Sequence, residues 1–437
     1  MIVCKFGGSS MADANQFRKV ADIVRQDPER RYIVVSAPGK RFDGDTKVTD
    51  LLLDCWRLAH LGKDFEPSLQ KVRERYAEIV SGLGLTFDLE REIAAIRAML
   101  TTMPHLDYTA SRGEYLNAKL MALYLGVPFV DPALYVRFNE DGSYNAEQTR
   151  VDLGNALAGM PRAVIAGFYG STPSGAIHTF PRGGSDTTGA VVAEAAGAAL
   201  YENWTDVSGL LAADPRIVEN VRTVDYISYR ELRILSYMGA SVLHADAVSP
   251  VQRRGIPINI RNTNAPDDPG TIIVYALDER QKSHAVTGVT GRKGMCVVQV
   301  EKNMVSDGTG YSAILLDIFK KYHVPFEQCI TGIDTITVVV RSDLLEKAQK
   351  QIMDDIRKEL APDTLLVKKG MSMIAVVGED TAAGVNVTVR ILSAVAEAGV
   401  QIGTINQGAG ALNLLIGVAD EDFEKTINAI YGVIEKV

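Results

Sequence analysis

The last third of this chain is written twice, and that repeat limits the folds open to it more than any other feature. MCVVQVEK from Met295, a helical stretch through Ile314–Tyr322, VPFEQCI from Val324 and TITVVV from Thr335 form the first copy. They can be laid on MSMIAVVGED from Met371, a helical stretch through Val389–Ala398, VQIGTIN from Val400 and ALNLLI from Ala411. Val324 aligns with Val400, Phe326 with Ile402, Gly332 with Gly408 and Ile336 with Leu412, at a constant offset of about 76 residues. A fixed period of this size marks a repeated supersecondary unit. Each copy reads strand, helix, strand, strand, helix. That order predicts two ferredoxin-like α+β units, over about 289–365 and about 366–437.

Before the repeat the pattern changes. Strand-like stretches at Ile2–Phe6, Tyr32–Val35, Val127–Val130, Ala163–Phe168, Leu200–Trp204 and Ile256–Ile260 alternate with helical ones. Such alternation predicts an α/β body, a sheet held between helices. From about 48 to 103 the chain is helical, with Leu51, Leu52, Cys55, Leu58 and Ala59 on one face. NAPDDPGT from Asn264 and DERQKSH from Asp278 mark a boundary, so one domain is expected over 1–280 and a second region over 281–437. At 437 residues, two or three domains are the prior.

Two glycine turns carry the chemistry of the first domain. In IVCKFGGSSMAD an apolar strand ends at Gly7 and Gly8, which allow a sharp turn and close approach of a ligand to bare N–H groups. Asp13 sits where an N-cap belongs, and Phe17, Val20, Ala21 and Val24 follow at helical spacing, so a helix N-terminus suited to phosphate is expected past the glycines. Lys5 adds an ammonium beside that cradle, where the charge of a transferring phosphoryl group would be stabilised. The pattern is neither GxxxxGK[ST] nor GxGxxG. The second turn, FPRGGSDTTGA, offers the Arg182 fork to a carboxylate, the backbone of Gly183 and Gly184, the Ser185 hydroxyl, and Asp186 to orient a lysine or bind magnesium. Ser185 or Asp186 would equally serve as the cap of the helix that follows.

Composition excludes several classes. The 54 acidic and 46 basic residues leave a net charge of −8, which argues against nucleic-acid or anionic-membrane partners. No apolar run reaches spanning length. Four cysteines without a CxxC pair point to a reducing, cytoplasmic setting, and six scattered histidines to no structural metal site. No Ser/His/Asp or Cys/His constellation suggests itself.

Taken in order, KFGGSSMAD from Lys5, VVSAPGK from Val34, TDLLL from Thr49, SRGE from Ser111, PRGGSD from Pro181 and TDVSGLLAADPRIV from Thr205 resemble the aspartokinase family over nearly the whole chain. The resemblance implies the amino-acid kinase fold, an open and largely parallel sheet with a helical insertion, followed by tandem ACT domains. It implies transfer of phosphate from ATP, with Mg2+, to the side-chain carboxylate of L-aspartate, giving 4-phospho-L-aspartate. By resemblance Lys5 is the catalytic lysine and Asp186 its ordering partner, while Gly7 and Gly8 approach the phosphates. Arg182 and Ser185 hold aspartate, Glu114 meets its α-ammonium, and Ser36 and Thr49 complete the acceptor pocket.

Local readings compete. Ser111 and Glu114 also form an SxxE capping box, Thr49 also suits a helix N-terminus, and Ser36 a strand end. Thr205, Asp206, Asp214 and Arg216 match the segment that contacts nucleotide in the family, although Asp214-Pro215 would form a turn without any ligand. Ser241 stands where the family commonly has lysine, and Leu211 where tyrosine is common. In the tail Met304, Gly310, Tyr311, Glu327 and Thr331 occupy the stretch that binds an amino-acid effector, lysine or threonine, at the ACT–ACT interface. A homodimer or higher homo-oligomer through the tails is expected. The alternatives are an acetylglutamate or glutamate kinase, and a catalytically impaired amino-acid sensor.

Overall fold

Ile2–Phe6 forms β1, which is apolar almost throughout because it lies at the middle of a sheet with both faces covered. The structure is a computed structural model that describes residues 1–181, 183–239, 243, 245–282, 284–303, 310–378, 387–408 and 412–435. Two compact units are present: 1–210 with 223–232 and 241–281, and 211–222 with 233–240 and 282–437.

The first unit carries β1, β2 (Arg30–Val35), β3 (Phe129–Val130), β4 (Ala163–Ala166), β5 (Tyr169–Ser171), β6 (Ile177–Thr179), β7 (Leu200–Thr205), β8 (Tyr226–Ser228), β9 (Ile258–Asn262) and β10 (Thr271–Val274). Eight of these make one sheet in the order β3-β4-β2-β1-β7-β9-β10-β8, and β5 and β6 form a separate hairpin. Every neighbouring pair in the large sheet is parallel except β9 with β10. The stretch expected as a strand from Val127 is paired only at Phe129–Val130. Helix α1 (Ala14–Gln26) buries Phe17, Val20, Ala21, Ile23 and Val24. The helical insertion resolves into α2 (Val48–His60), α3 (Glu66–Leu83) and α4 (Leu89–Thr102), and runs on into α5 (Leu106–Leu125). Their apolar faces share one core with β1 and β2 through Phe6, Leu52, Tyr76, Ile93 and Met121. Helix α6 (Ala146–Ala158) packs on α7 (Gly184–Ala196), which lies against β1, β2 and β7.

The chain passes from β1 to β2 on one side and later returns to β7 on the other. Such a reversal leaves a crevice outside the carboxyl ends of the flanking strands, the usual place for a ligand in an open α/β sheet. Deep in the same sheet β7 buries a carboxylate. Arg30 meets Glu202 with Nε–Oε2 at 2.8 Å, Arg261 stands 3.6 Å away, and the Trp204 indole N–H donates to the same carboxylate at 2.9 Å.

The second unit holds one antiparallel sheet of β11 (Gly288–Glu301), β12 (Phe326–Thr331), β13 (Thr335–Arg341), β14 (Thr364–Val377), β15 (Thr404–Asn406) and β16 (Asn413–Ala419), in the order β12-β13-β11-β14-β16-β15. β11 and β14 are the longest strands, at 14 residues each, and bend at Gly294 (φ 80°) and Gly370 (φ 73°), a left-handed conformation that glycine adopts without cost. Val297–Glu301 pair with Thr364–Lys368, whereas Gly288–Arg292 pair with Met373–Val377. The strand pairing therefore does not follow the two consecutive halves of the tail. Residues 288–292 lie beside the strand that opens the second copy, although they precede the first copy in sequence. Each copy obtains a fourth strand from the half of β11 or β14 on the far side of its glycine bend. The first copy's core forms where Cys296, Val298 and Val300 meet Leu315, Ile318, Phe319 and Ile352 from the helices above.

Candidate active site

The two glycine turns meet. Lys5 points from the penultimate position of β1, and its Nζ lies 2.6 Å from Asp186 Oδ1, with only 9% of the lysine side chain exposed. Asn203, on the adjoining strand β7, donates from Nδ2 to the same oxygen at 2.8 Å and fixes the carboxylate from the other side. This pair forms part of the wall of a cavity of about 220 Å3 lined by Ser36, Thr49, Glu114, Phe168, Gly183, Gly184 and Ser185 as well as Lys5 and Asp186. Six residues singled out as catalytic or acceptor-binding therefore line one cavity.

Local sequence explains each placement. The Gly7 N–H donates to the Trp204 carbonyl at 2.9 Å, holding the first glycine turn against the end of β7. The Gly39 N–H donates to the Gly8 carbonyl at 2.8 Å, and a Cβ on Gly39 would lie 2.6 Å from the Gly8 carbonyl carbon, so only glycine permits that approach. Ser36 follows β2 directly; its N–H donates to the Phe6 carbonyl at 3.1 Å, and its carbonyl accepts from the Asn117 amide at 2.7 Å. Thr49 is the second residue of α2, so it is both a helix N-terminal residue and a cavity residue.

Three local readings are corrected. Ser111 and Glu114 are no capping box: α5 is capped by His105, and both lie inside the helix, where Ser111 Oγ donates to the Tyr108 carbonyl at 2.8 Å. Neither Ser185 nor Asp186 caps α7, whose N-cap is Gly183 at φ 79° with no side-chain cap bond, which leaves the first N–H groups of that helix facing the cavity end. Conversely, the N-terminus of α1 is closed by Asp13, whose carboxylate accepts from the Asn15 and Gln16 N–H groups. A short 3-10 turn at Ser9–Met11 intervenes between the glycines and α1. The helix end open to an anion is that of α7, not α1.

Glu114 is the most perturbed group in the cavity. Burial pushes its carboxyl up to about 7, against the opposing pull of the Ala37 N–H, and its Oε2 has no hydrogen-bond partner. Gly113 seats α5 so closely on the Ala37 side chain that a Cβ there would come within 2.7 Å.

Sequence reasoning missed Phe168, Asn203 and Asn117. Phe168 has φ 83°, rare for an aromatic residue, and is held by its N–H to Thr188 Oγ1 at 2.9 Å and by its carbonyl to the Phe180 N–H at 2.8 Å. Its ring occupies the space a side chain on Gly184 would need. Nothing in the sequence announces that backbone. Asn203 did leave a signal, since Glu202-Asn203 interrupts an otherwise apolar buried strand.

The other expected residues lie elsewhere. Thr205 and Asp206 close β7, with the threonine hydroxyl donating to Asp206 at 3.1 Å, and neither lines the cavity. Asp214 and Arg216 belong to the second unit and pair with each other at 2.7 Å, with the Arg216 N–H also donating to Asp214 as in a ligand-free turn. In the tail Gly310 caps the helix Tyr311–Lys321 at φ 103°, Lys302 lies over the Tyr311 ring, and Thr331 ends β12. Glu327 instead lines a separate cavity that none of these three residues lines. Arg182, Ser241 and Met304 lie outside the described residues.

Residues 1–262 match the Amino acid kinase family, and 374–433 match the ACT domain. Aspartokinase 3 of Bacillus subtilis is 36% identical over 99% of this chain and 98% of its own length. The chain belongs to the aspartokinase family. Aspartokinases are phosphotransferases acting on aspartate. The solved aspartate kinase of Clostridium acetobutylicum superposes with a TM-score of 0.94 at 40% identity, over 99% of this chain and 100% of that one. Escherichia coli aspartokinase III, solved with aspartate and ADP, shares the fold at a TM-score of 0.74 and 24% identity, over 99% of each chain. Among the described residues of this aspartokinase, no helix is long and apolar enough to cross a membrane.

Proposed function

We propose that the chain transfers the γ-phosphoryl group of ATP to the side-chain carboxylate of L-aspartate, giving 4-phospho-L-aspartate, the entry to lysine, threonine and methionine synthesis. The observation that carries this reading is the Lys5–Asp186 pair at 2.6 Å in the wall of a cavity shared with Glu114, Ser36, Thr49 and Ser185. The acceptor carboxylate, with a reference pKa of about 3.9, is already ionised at neutral pH, so its oxygen attacks the γ-phosphorus without losing a proton. The bond from that phosphorus to the bridging oxygen breaks, and the electron pair leaves on ADP.

The obstacle is repulsion between two anions. Lys5 supplies a fixed positive charge at the transferring group, and the N–H groups of Gly8 and of the start of α7 supply preorganised dipoles, while the Gly7 N–H is spent on the Trp204 carbonyl and fixes the turn. Asp186 and Asn203 hold the lysine in place. Ser185 and Arg182 take the aspartate carboxylates, Glu114 its α-ammonium, and Ser36 and Thr49 the rest of the acceptor. Mg2+ suits the Asp186 carboxylate in the cavity wall, because it is held by one or two carboxylates with phosphate and water supplying the remainder. When bound it neutralises charge on the phosphates. Thr205 and Asp206 lie next to the Gly7 turn and serve the nucleotide.

The tail is read as the regulatory region, with lysine or threonine as effector. Pairing of two chains through it is supported by the edge strand β12, whose first residue Phe326 is 44% exposed and just past whose end Ile333 is 76% exposed. Four free thiols are in keeping with a reducing cytoplasm. The test is to trap the acyl phosphate with hydroxylamine in the presence of MgATP. Hydroxamate from L-aspartate, and none from L-glutamate or N-acetylglutamate, is the expected result; no product from any acceptor would refute the assignment.

A further inference from the structure

The second unit contains a cavity that the kinase reading does not use. It measures about 250 Å3 and lies on the face of the tail sheet away from the helices: Cys296 and Val298 turn to the helical core, so alternation turns Met295 the other way. Met295, Met373 and Leu415 form the sheet side, and Ile234 and Met238, from the 233–240 segment of the same unit, form the opposite side. Three methionines round a small apolar space favour a flat ring, since thioether sulfur packs well against ring edges.

Arg233, Tyr237, Glu327, Gln328 and Asn413 bring polar groups to the lining, and one of them has no structural use. Gln328 lines the cavity and is 4% exposed, yet neither its amide nitrogen nor its amide oxygen has a hydrogen-bond partner. Leaving both a donor and an acceptor buried and unpaired is costly, and native proteins rarely do so without a reason. A β-bulge between Phe326 and Gln328 inserts Glu327 as an extra residue, so that Glu327 and Gln328, adjacent in sequence, both border the cavity. Glu327 hydrogen-bonds Tyr237, and Arg292 lies over that ring at 5.2 Å. Glu327 and Arg233 set opposite charges in the same lining, and the Gln328 amide is the buried group left without a partner.

We propose that this cavity binds a small, neutral, planar ligand carrying a hydrogen-bond donor beside an acceptor, as a nucleobase edge or an aromatic carboxamide does. A side-chain amide pairs with such an edge through two parallel hydrogen bonds, as Gln does with adenine. The volume suits one ring system and falls below the roughly 300–1,000 Å3 of pockets for drug-sized molecules. Arg233 and Glu327 bring one charge of each sign to the lining, so a ligand without net charge leaves neither unbalanced, while its ring lies against methionine and leucine.

The experiment is isothermal titration of the full chain with adenine and with nicotinamide as separate probes, saturated with MgADP so that any nucleotide site is already filled. Binding of either probe at one per chain is expected. Gln328→Leu should weaken it at least about tenfold, through loss of two hydrogen bonds, while not lowering the melting temperature of the unliganded protein, because an unpaired amide has been removed. Leu415→Trp, which fills the cavity from the sheet side, should abolish binding, and hydroxamate turnover reports that both variants are folded. The proposal is overturned if neither probe binds, if both substitutions leave binding intact, or if leucine or methionine binds in place of the two probes. Heat of binding does not require turnover, so failure here and failure of the kinase assignment are separate results.

Discussion

Glu114 offers the sharpest test of the acceptor pocket, because the same burial that raises its pKa sets both a pH profile and a stability term. If Glu114 receives the α-ammonium of aspartate, it must be ionised, and in the free protein it is half protonated at about pH 7. About nine-tenths is ionised one unit above that value and about one-tenth one unit below, so kcat/KM for aspartate should fall about tenfold from pH 8 to pH 6 at saturating MgATP. The β-carboxylate of the substrate stays ionised throughout this range. Glu114→Gln should erase that limb and lower kcat/KM at pH 8 by roughly 10- to 150-fold, the worth of a hydrogen bond to a charged group.

Stability should move the opposite way. A carboxyl raised from 4.5 to about 7 binds its proton more tightly in the folded than in the unfolded chain. Its contribution is fully present below about pH 4.5 and is lost as pH rises through about 7, a change of about 3 kcal/mol. Gln cannot ionise, so the variant should resist urea better than the parent at pH 8, with the difference shrinking toward pH 5. A parent profile flat from pH 6 to pH 8, or the same slope in both proteins, would refute the reasoning.

Lys5→Met should reduce kcat by roughly 10²- to 10³-fold with an unchanged far-UV circular dichroism spectrum, since an apolar chain of similar length fits the mostly buried site; an unaltered rate would remove Lys5 from the chemistry. Glu202→Leu should cost about 3–5 kcal/mol in urea unfolding, because it leaves the buried Arg30 and the half-buried Arg261 without their shared carboxylate. Gly39→Ala should push the Gly7–Gly8 turn off its position, lowering kcat and costing about 1–3 kcal/mol, with both measured on the same preparation.

What could be read in advance was whatever is encoded locally. Lys5-x-Gly7-Gly8 and Gly183-Gly184-Ser185-Asp186 announce themselves because glycine, a charge and a strand end must be adjacent in sequence to work together. The 3.6-residue pattern of α2 and the alternation of β13 were legible for the same reason. Phe168 was hidden, because its positive φ is imposed by Thr188 and Phe180 at a distance. The capping reading of Ser111 and Glu114 failed because a four-residue spacing cannot tell a helix start from a helix middle, and His105 supplies the start. The exchange of strand halves in the tail left a trace, Lys293-Gly294-Met295 and Lys369-Gly370-Met371, but long-range pairing decided its meaning.

Because residues 288–292 run alongside the strand that opens the second copy, no single scission of the chain yields two intact halves of the tail. Removing everything after the first copy would strand 288–292 beside nothing, and expressing the second copy alone would expose one flank of β14. Such interlacing ties the two copies into one sheet that neither completes alone. Shuffling, circular permutation or grafting of this tail should therefore keep 288–292 together with the strand that opens the second copy.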